Sequence, residues 1–393
     1  MNNSVTAAEM KKELPGQVAR YGWILLIVGV VIAAAGYLID PRRMAFDNII
    51  GFLFLTSIGI GSIFLVALEY IAGAVWSVPM RRVNEFLGAL TLLIPLLAIP
   101  IFLNLHDLYH WTHAEAVAAD KILQGKSSYL NVNFFVLRFI IIFVLWSLFY
   151  FLFTRNSSRQ DITKDQSLTT RNIKLSAVFM PVFAITLTLT AVDWAMSLEP
   201  HWYSTMYGVY YFSGTILAAL AAATYIIVKM YESGYFPQLQ RDHFYSLGAL
   251  LFAFINFWAY IAFSQFLLIW YADLPEETFW FISRWKNGWE YVSILLIIVH
   301  FAVPYFALLT QDSKMDTKRL KLMAIWILFA HMLDLYWLVM PTYSKTVPFS
   351  WNEFGFPILL VGLIMVVFSF KVKRNNIVPI GDPKLERGLS FRL

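Results

Sequence analysis

Ten apolar stretches, each about as long as a membrane-spanning helix, recur along the whole sequence. A helix that crosses a bilayer needs about 20 consecutive and mostly apolar residues. Polar or proline-containing breaks such as Asp40-Pro41, Glu199-Pro200 and Met340-Pro341 separate the stretches. The stretches are 21–39, 48–72, 86–105, 133–153, 173–196, 207–229, 246–271, 291–310, 320–340 and 354–370. Lipid accepts only helices or closed barrels, so stretches of this length predict an all-α, polytopic membrane protein with about ten transmembrane helices.

The overall composition supports a membrane protein and excludes several kinds of chemistry. Of the 393 residues, 59% are hydrophobic and only 14% are charged, which is more apolar surface than a water-soluble domain can bury. The sequence contains no cysteine, so this chain cannot form disulfides, bind iron–sulfur clusters through thiolates or attach a c-type haem. It also contains no nucleotide-binding glycine loop, nucleophile elbow or metalloprotease motif. These classes of site are therefore excluded for this chain.

The distribution of lysine and arginine predicts the orientation of the chain. With the predicted helices joined by alternating loops, 22 of the 30 basic residues fall on one side, seven on the other, and Arg138 inside the fourth helix. Loops rich in lysine and arginine stay in the cytoplasm. We therefore expect residues 1–20 to form a cytoplasmic N-terminal segment, 21–371 the transmembrane domain and 372–393 a cytoplasmic tail. The net charge of +5 then reflects membrane topology rather than nucleic-acid binding.

The longer loops on the predicted non-cytoplasmic side are rich in aromatic residues and suggest a docking surface. One of them carries His106, His110 and His113, spaced i, i+4 and i+7, which would line one face if the loop were helical. Three histidines on one face can bind a metal such as zinc. An aromatic helix at the membrane surface has the same pattern without a metal, and no fourth ligand is evident. We therefore predict no metal here.

Six ionisable residues stand out within the predicted membrane helices, where a charged side chain costs about 2.5–3.5 kcal/mol on insertion scales. They are Glu69, Arg138, Asp193, His300, His331 and Asp334. His331 and Asp334 are three residues apart and therefore share one helix face. A carboxylate beside an imidazole in a low-dielectric setting can pass a proton. The same pair can instead pin one helix to another through a buried hydrogen bond, and both interpretations stay open.

The other buried ionisable residues also allow more than one interpretation. Glu69 is either a functional carboxylate or an interfacial one that reaches the lipid headgroups. Arg138 can extend to the membrane surface or pair with a carboxylate, either Asp193 or Asp334. His300 can ligate a haem b together with the histidine of the next helix, although the glycines that let a macrocycle approach a helix are missing. We therefore expect no redox cofactor in this chain.

Three long segments resemble one family of respiratory membrane subunits. They are residues 191–208 (AVDWAMSLEPHWYSTMYG), 257–271 (FWAYIAFSQFLLIWY) and 331–341 (HMLDLYWLVMP). They are similar to the NrfD or polysulfide-reductase-like membrane subunits, and specifically to the second such subunit, the F subunit, of bacterial alternative complex III. The similarity extends over nearly the whole chain.

The resemblance implies a place in a respiratory electron-transport complex. Such a complex oxidises quinol in the bacterial inner (cytoplasmic) membrane and passes electrons to a periplasmic cytochrome c or a similar acceptor. The family fold is two four-helix bundles with additional peripheral helices. Partner subunits would carry haem c and iron–sulfur clusters, and a homologous NrfD-like subunit would bind the quinol beside them. The chain itself would be a non-redox subunit, with quinone only a candidate ligand.

The resemblance also implies a role in proton translocation. Proton paths proposed for such subunits use buried carboxylates and histidines, so all six ionisable membrane residues are candidates. Asp193, His331 and Asp334 lie inside the matched segments, and the other three lie outside them.

Two other functions remain as alternatives. A secondary transporter tends to have helices broken by glycine or proline at matching positions in two halves. Pro100, Pro181 and Pro304 are scattered instead, which argues against a transporter. An independent haem b quinone oxidoreductase is the second alternative, and it would show a haem spectrum when the chain is purified alone.

Overall fold

The computed structural model describes residues 14–393, and within them it contains helices and no β-strand. Ten of these helices are long and apolar enough to cross a membrane. They are α1 (Gly16–Ile39), α2 (Pro41–Ala72), α3 (Val78–Leu103), α4 (Val132–Thr163), α5 (Ser167–Leu198), α6 (Tyr207–Glu232), α7 (Arg241–Ala272), α8 (Trp289–Ala307), α9 (Thr317–Tyr343) and α10 (Trp351–Arg374). Each predicted stretch overlaps one of these helices, which confirms the all-α polytopic fold and the predicted number of membrane helices.

Several helices extend beyond their apolar stretches because polar residues continue them at the ends. α2 begins at Pro41, where the side chain of Asp40 accepts a hydrogen bond from the backbone N–H of Arg43 at 3.1 Å. The apolar stretch starts only at residue 48, since the basic residues of this first turn lower the hydropathy. Of the predicted N-terminal segment, residues 1–13 lie outside the described residues, and α1 begins at Gly16.

The ten helices form two groups of four and a peripheral pair. α2 to α5 pack together, as do α6 to α9, and α2 also contacts α6 and α9 of the second group. The most apolar 18-residue window of α2 is 94% buried, whereas that of α1 is only 22% buried. α1 packs mainly against α10. This packing agrees with the two four-helix bundles and peripheral helices that the resemblance implies.

α1 and α10 cross at very short range. A Cβ atom at Gly29 of α1 would lie 2.3 Å from the backbone N of Leu359, and one at Gly362 of α10 would lie 2.3 Å from the backbone N of Leu26. Glycine at both positions therefore lets the two backbones touch, as small residues commonly do where membrane helices meet.

The loops gather at two ends of the bundle, which we call the basic face and the opposite face. At the basic face α2 and α4 end and α3 begins, and Arg82 of α3 pairs with Asp161 of α4 at 2.6 Å. At the opposite face α2 begins, and Arg43 of α2 pairs with Glu353 of α10. The loops of the basic face carry most of the lysine and arginine residues. The prediction that this face lies on the cytoplasmic side is based on that excess of positive charge.

The C-terminal segment packs along the basic face instead of leaving it as a free tail. α10 continues to Arg374, slightly beyond the predicted boundary at 372. The backbone N–H of Gly381 donates to Asp161 Oδ1 at 3.1 Å, and a ring nitrogen of His243 at the start of α7 lies 2.8 Å from the carbonyl oxygen of Gly388. We call residues 375–389 the C-terminal strap.

A buried arginine orders the loop between α7 and α8 at the opposite face. Arg284 donates to the carbonyl oxygens of Trp280 at 2.9 Å and of Leu338 at 2.9 Å, and its guanidinium carbon lies 3.4 Å from the ring centroid of Trp280. Burial lowers the pKa of Arg284 to about 9, although Tyr207 and Glu199 act in the opposite direction. The predicted docking loop 272–290 is therefore anchored to the end of α9.

Candidate functional site

Five adjacent helices place polar side chains in one group inside the membrane region, which we call the buried polar cluster. Its members are Ser57 of α2, Tyr210 of α6, Trp258 of α7, His300 of α8, and His331 and Asp334 of α9. Three of the six predicted ionisable residues therefore meet at this one site, although they come from two different helices.

Asp334 is held by neutral hydrogen-bond donors. Its Oδ1 accepts a hydrogen bond from the Tyr210 hydroxyl, and its Oδ2 accepts one from Trp258 Nε1 at 3.1 Å. The side chain is buried, and within residues 14–393 no lysine or arginine forms an ion pair with it. The charge of an ionised Asp334 is therefore not balanced by a neighbouring cation.

His331 lies on the same helix face as Asp334, as their spacing predicts, but the two side chains bind different partners. The Nε2 atom of His331 lies 3.1 Å from Ser57 Oγ, which itself lies 3.3 Å from the hydroxyls of Tyr211 and Thr215. The Nδ1 atom of His331 is buried, and no atom of residues 14–393 forms a hydrogen bond with it. A Cβ atom at Gly214 of α6 would lie 2.9 Å from Cε1 of His331, so this glycine leaves the space that the imidazole occupies.

His300 completes the cluster from a distorted turn of α8. It lies in the π-helical segment Ile298–Ala302, and π-bulges occur frequently at functional sites. Its ring stacks on Trp258 with centroids 3.8 Å apart and lies 6.4 Å from the ring of His331. Both ring nitrogens of His300 are buried and have no hydrogen-bond partner among the described residues. Three of the four imidazole nitrogens of the cluster therefore have no protein partner and can accept or donate a proton.

The same geometry has the elements of a metal site. His300, His331 and Asp334 each offer one ligand atom, and these atoms lie within 4.8 Å of one another. Two imidazoles and a carboxylate suit zinc or a non-haem iron. The two histidines also lie on neighbouring helices, as bis-imidazole ligation of a haem requires. The absence of a metal or haem from this chain therefore stays a prediction.

Arg138 and Asp193 form a separate ion pair. Arg138 Nε donates to Asp193 Oδ2 at 2.8 Å and Nη2 donates to Oδ1 at 2.9 Å, so the pair is bidentate. Arg138 Nη1 also donates to the carbonyl oxygen of Tyr129 at 2.9 Å. Of the two partners considered from the sequence, Arg138 therefore binds Asp193 and not Asp334, and it joins α4 to α5.

Glu69 belongs to a buried ion network at the basic face. The side chain is 7% exposed and accepts a hydrogen bond from Arg81 Nη1 at 2.9 Å. Arg81 also binds Asp382 of the C-terminal strap at 2.7 Å and Glu85 at 3.2 Å. The interpretation of Glu69 as a carboxylate that simply reaches the headgroups is therefore wrong, because protein groups cover it.

The three-histidine loop is not one continuous helix. His106 lies in the short helix Leu105–Leu108, His110 begins the turn His110–Thr112, and His113 follows that turn. A ring nitrogen of His106 lies 3.0 Å from Thr112 Oγ1, and one of His113 lies 2.8 Å from the carbonyl oxygen of His106. The i, i+4, i+7 face is therefore absent, and one nitrogen of two of these histidines is used to hold the loop.

Three members of the buried polar cluster were not among the predicted residues. Trp258 lies inside the segment 257–271, and Tyr210 lies two residues after the segment 191–208, so both were close to a recognisable signal. Ser57 is a single hydroxyl in an apolar helix, and nothing in the sequence pattern marks it as a site residue. No protein-family model matches the sequence, and a comparison with curated proteins finds no match.

Proposed function

We propose that this chain is an integral membrane subunit of a bacterial quinol:cytochrome c, or similar acceptor, oxidoreductase of the alternative complex III type. It would support quinol oxidation by a neighbouring subunit and conduct protons through the buried polar cluster. The similarity of three segments to NrfD-like subunits supports the class. Two of those segments supply cluster residues, namely Trp258 from one and His331 and Asp334 from the other.

The proton role rests on one observation: within residues 14–393, no lysine or arginine forms an ion pair with Asp334. Asp193 is paired with Arg138, and Glu69 with Arg81. A neighbouring positive charge favours the ionised carboxylate, so such a pair resists protonation. Within the described residues, Asp334 accepts hydrogen bonds from neutral donors only, so it can gain or lose a proton without breaking an ion pair. His300 and His331 beside it supply neighbouring proton acceptors.

The proposed path continues along α2 from the cluster toward the basic face. Ser57 links His331 to hydroxyls of α6. Farther toward the basic face, the hydroxyls of Ser62 and Tyr70 of α2 and of Thr224 of α6 are buried without a hydrogen-bond partner among the described residues. Buried hydroxyls of this kind are the groups that bind internal water, and water-linked hydroxyls can pass protons.

The Asp334→Asn variant tests the proposal in the purified complex reconstituted into proteoliposomes. We expect the complex to assemble, because the amide keeps the shape of the carboxylate, and quinol turnover or proton release to fall by about 100-fold, in the range typical of a lost proton-transfer group. Quinol oxidation and the external pH are recorded together to give protons per electron.

Glu69→Gln is the matched comparison, since it makes the same chemical change at an ion-paired carboxylate. We expect it to reduce the amount of assembled complex while leaving protons per electron normal in what survives. Unchanged turnover and proton stoichiometry in an assembled Asp334→Asn complex would rule out the relay and leave a scaffold function.

A redox or metal protein is the second candidate, favoured by the three ligand atoms that converge in the cluster. If the cluster carries protons instead, the chain purified alone should show no Soret band and no stoichiometric iron or zinc by elemental analysis. A bis-histidine haem spectrum that disappears in His300→Ala would establish the second candidate.

A further inference from the structure

A cleft of about 450 Å³ opens at the basic face between α3, α4 and α10. We call it the basic-face cleft, and its volume lies in the range of small-ligand sites. The residues that matter for its chemistry are Arg82, Glu85, Tyr150, Phe151, Arg155 and Lys371. The cleft is a separate site from the buried polar cluster: none of the proposed proton-path residues lines it.

The cleft has an excess of positive charge. Three of its lining side chains are cationic and only Glu85 is acidic. Glu85 accepts hydrogen bonds from Arg82 Nη1 at 2.6 Å, from Arg81 Nε at 3.2 Å and from Ser157 Oγ at 2.7 Å. The same two arginines also bind Glu69, Asp161 and Asp382, so the positive charge that is free for a ligand comes from the other two cations of the cleft.

Two of the cations have no acidic partner. In the part of the chain that the structure describes, neither Arg155 nor Lys371 forms an ion pair. The ammonium of Lys371 lies 5.3 Å from the ring centroid of Tyr150, which keeps it beside the cleft. These two positive charges come from adjacent ends of α4 and α10 and face one space.

The third cation, Arg82, is part of the wall of the cleft. It is only 1% exposed, and its two terminal nitrogens are held by Glu85, Asp161 and the carbonyl oxygen of Ser157. Arg82 is therefore occupied by its protein partners, and the donors free to meet an oxyanion are those of Arg155 and Lys371.

The apolar surroundings of the cleft favour an anion that is part of a lipid over one that is free in solution. Phe151 lines the cleft and is 54% exposed, on the same helix face as the exposed apolar side chains of Val144 and Leu148. A ligand bound here would therefore place its anionic group among the cations and its apolar part against the aromatic side chain. Basic pockets between membrane helices bind lipid headgroups in this way.

We propose that the basic-face cleft binds the phosphate headgroup of an anionic phospholipid, held by Arg155 and Lys371. The proposal does not depend on the redox role of the complex. It predicts a preference for an anionic over a zwitterionic lipid, and for a lipid over free phosphate.

The test is native mass spectrometry of the full chain, delipidated in detergent and titrated with phosphatidylglycerol, phosphatidylcholine or inorganic phosphate. The Arg155→Gln/Lys371→Gln variant should bind phosphatidylglycerol about 30-fold more weakly than wild type, from the usual contribution of two basic residues at a membrane surface. Circular dichroism checks the helix content of each variant.

The matched control is Arg159→Gln/Lys373→Gln, which removes the same charges from the same two helices outside the cleft. It should leave the affinity for phosphatidylglycerol within about twofold of wild type, since neither side chain lines the cleft. If the first double variant does not fold, Arg155→Gln and Lys371→Gln singly should each weaken binding about fivefold.

Three results would overturn the proposal. The first is equal affinity of the wild-type chain for phosphatidylglycerol and phosphatidylcholine. The second is an equal loss of affinity in both double variants. The third is inorganic phosphate that displaces phosphatidylglycerol from the chain at millimolar concentration, which would identify a free-anion site.

Discussion

Arg138→Met is expected to lower the free energy of unfolding by about 3–5 kcal/mol, the usual cost of leaving one member of a buried ion pair without its partner. The side chains of Arg138 and Asp193 are 6% and 2% exposed, so water cannot replace the lost guanidinium. Methionine fills a similar volume, and the loss should therefore come from the unpaired carboxylate and not from a cavity. Thermal unfolding of the purified chain in detergent measures the change.

The double variant Arg138→Met/Asp193→Leu separates the ion pair from the packing. Buried ion pairs replaced by apolar residues of similar size are often neutral or stabilising, so the second substitution should restore most of the lost stability. Arg159→Met, on the exposed side of the same helix, should change stability by less than about 0.5 kcal/mol. A single Arg138 variant as stable as the Arg159 control would show that the pair contributes nothing.

Arg81→Met is expected to have a comparably large effect, because one guanidinium serves three acidic side chains. Arg81 binds Glu69 at 2.9 Å, Asp382 at 2.7 Å and Glu85 at 3.2 Å. Its removal leaves buried carboxylates close together, and we expect a loss of about 3–5 kcal/mol. We also expect release of the C-terminal strap, since Asp382 is one of its buried anchors.

Limited proteolysis followed by mass spectrometry of the C-terminal fragments tests the release of the strap. Cleavage between residues 375 and 389 should be much faster in Arg81→Met than in wild type. Asp382→Asn should expose the strap to protease while the helices keep nearly normal thermal stability, because Arg81 retains Glu69 and Glu85. Equal cleavage rates in all three proteins would contradict the anchoring role of Arg81.

The three candidate carboxylates of the membrane helices fall into two kinds. Asp193 with Arg138, and Glu69 with Arg81, are satisfied pairs that connect helices or hold the strap. In the described part of the chain, Asp334 instead accepts from neutral donors only. Substitutions in the ion pairs should reduce the amount of assembled complex, whereas substitution of Asp334 should reduce the turnover of a complex that still assembles. Comparing the variants therefore distinguishes structural charges from a functional one.

The sequence alone determined the class of the fold, because the signals for it are local. The length of an apolar stretch predicts a membrane helix without knowledge of its neighbours, and ten such stretches became ten helices. Helix periodicity also placed His331 and Asp334 on one face correctly. Helix ends were less accurate, since charged first turns such as that of α2 are polar but still helical.

Only the tertiary structure decided which partners the buried polar residues have. The sequence allowed Arg138 two carboxylates, and the packing of α4 against α5 selected Asp193. The packing of α6 to α9 surrounded Asp334 with neutral donors and brought His300 from another helix to its side. The strap and the basic-face cleft likewise join residues far apart in the chain. Such contacts depend on which helices are adjacent, and a hydropathy pattern carries no information about adjacency.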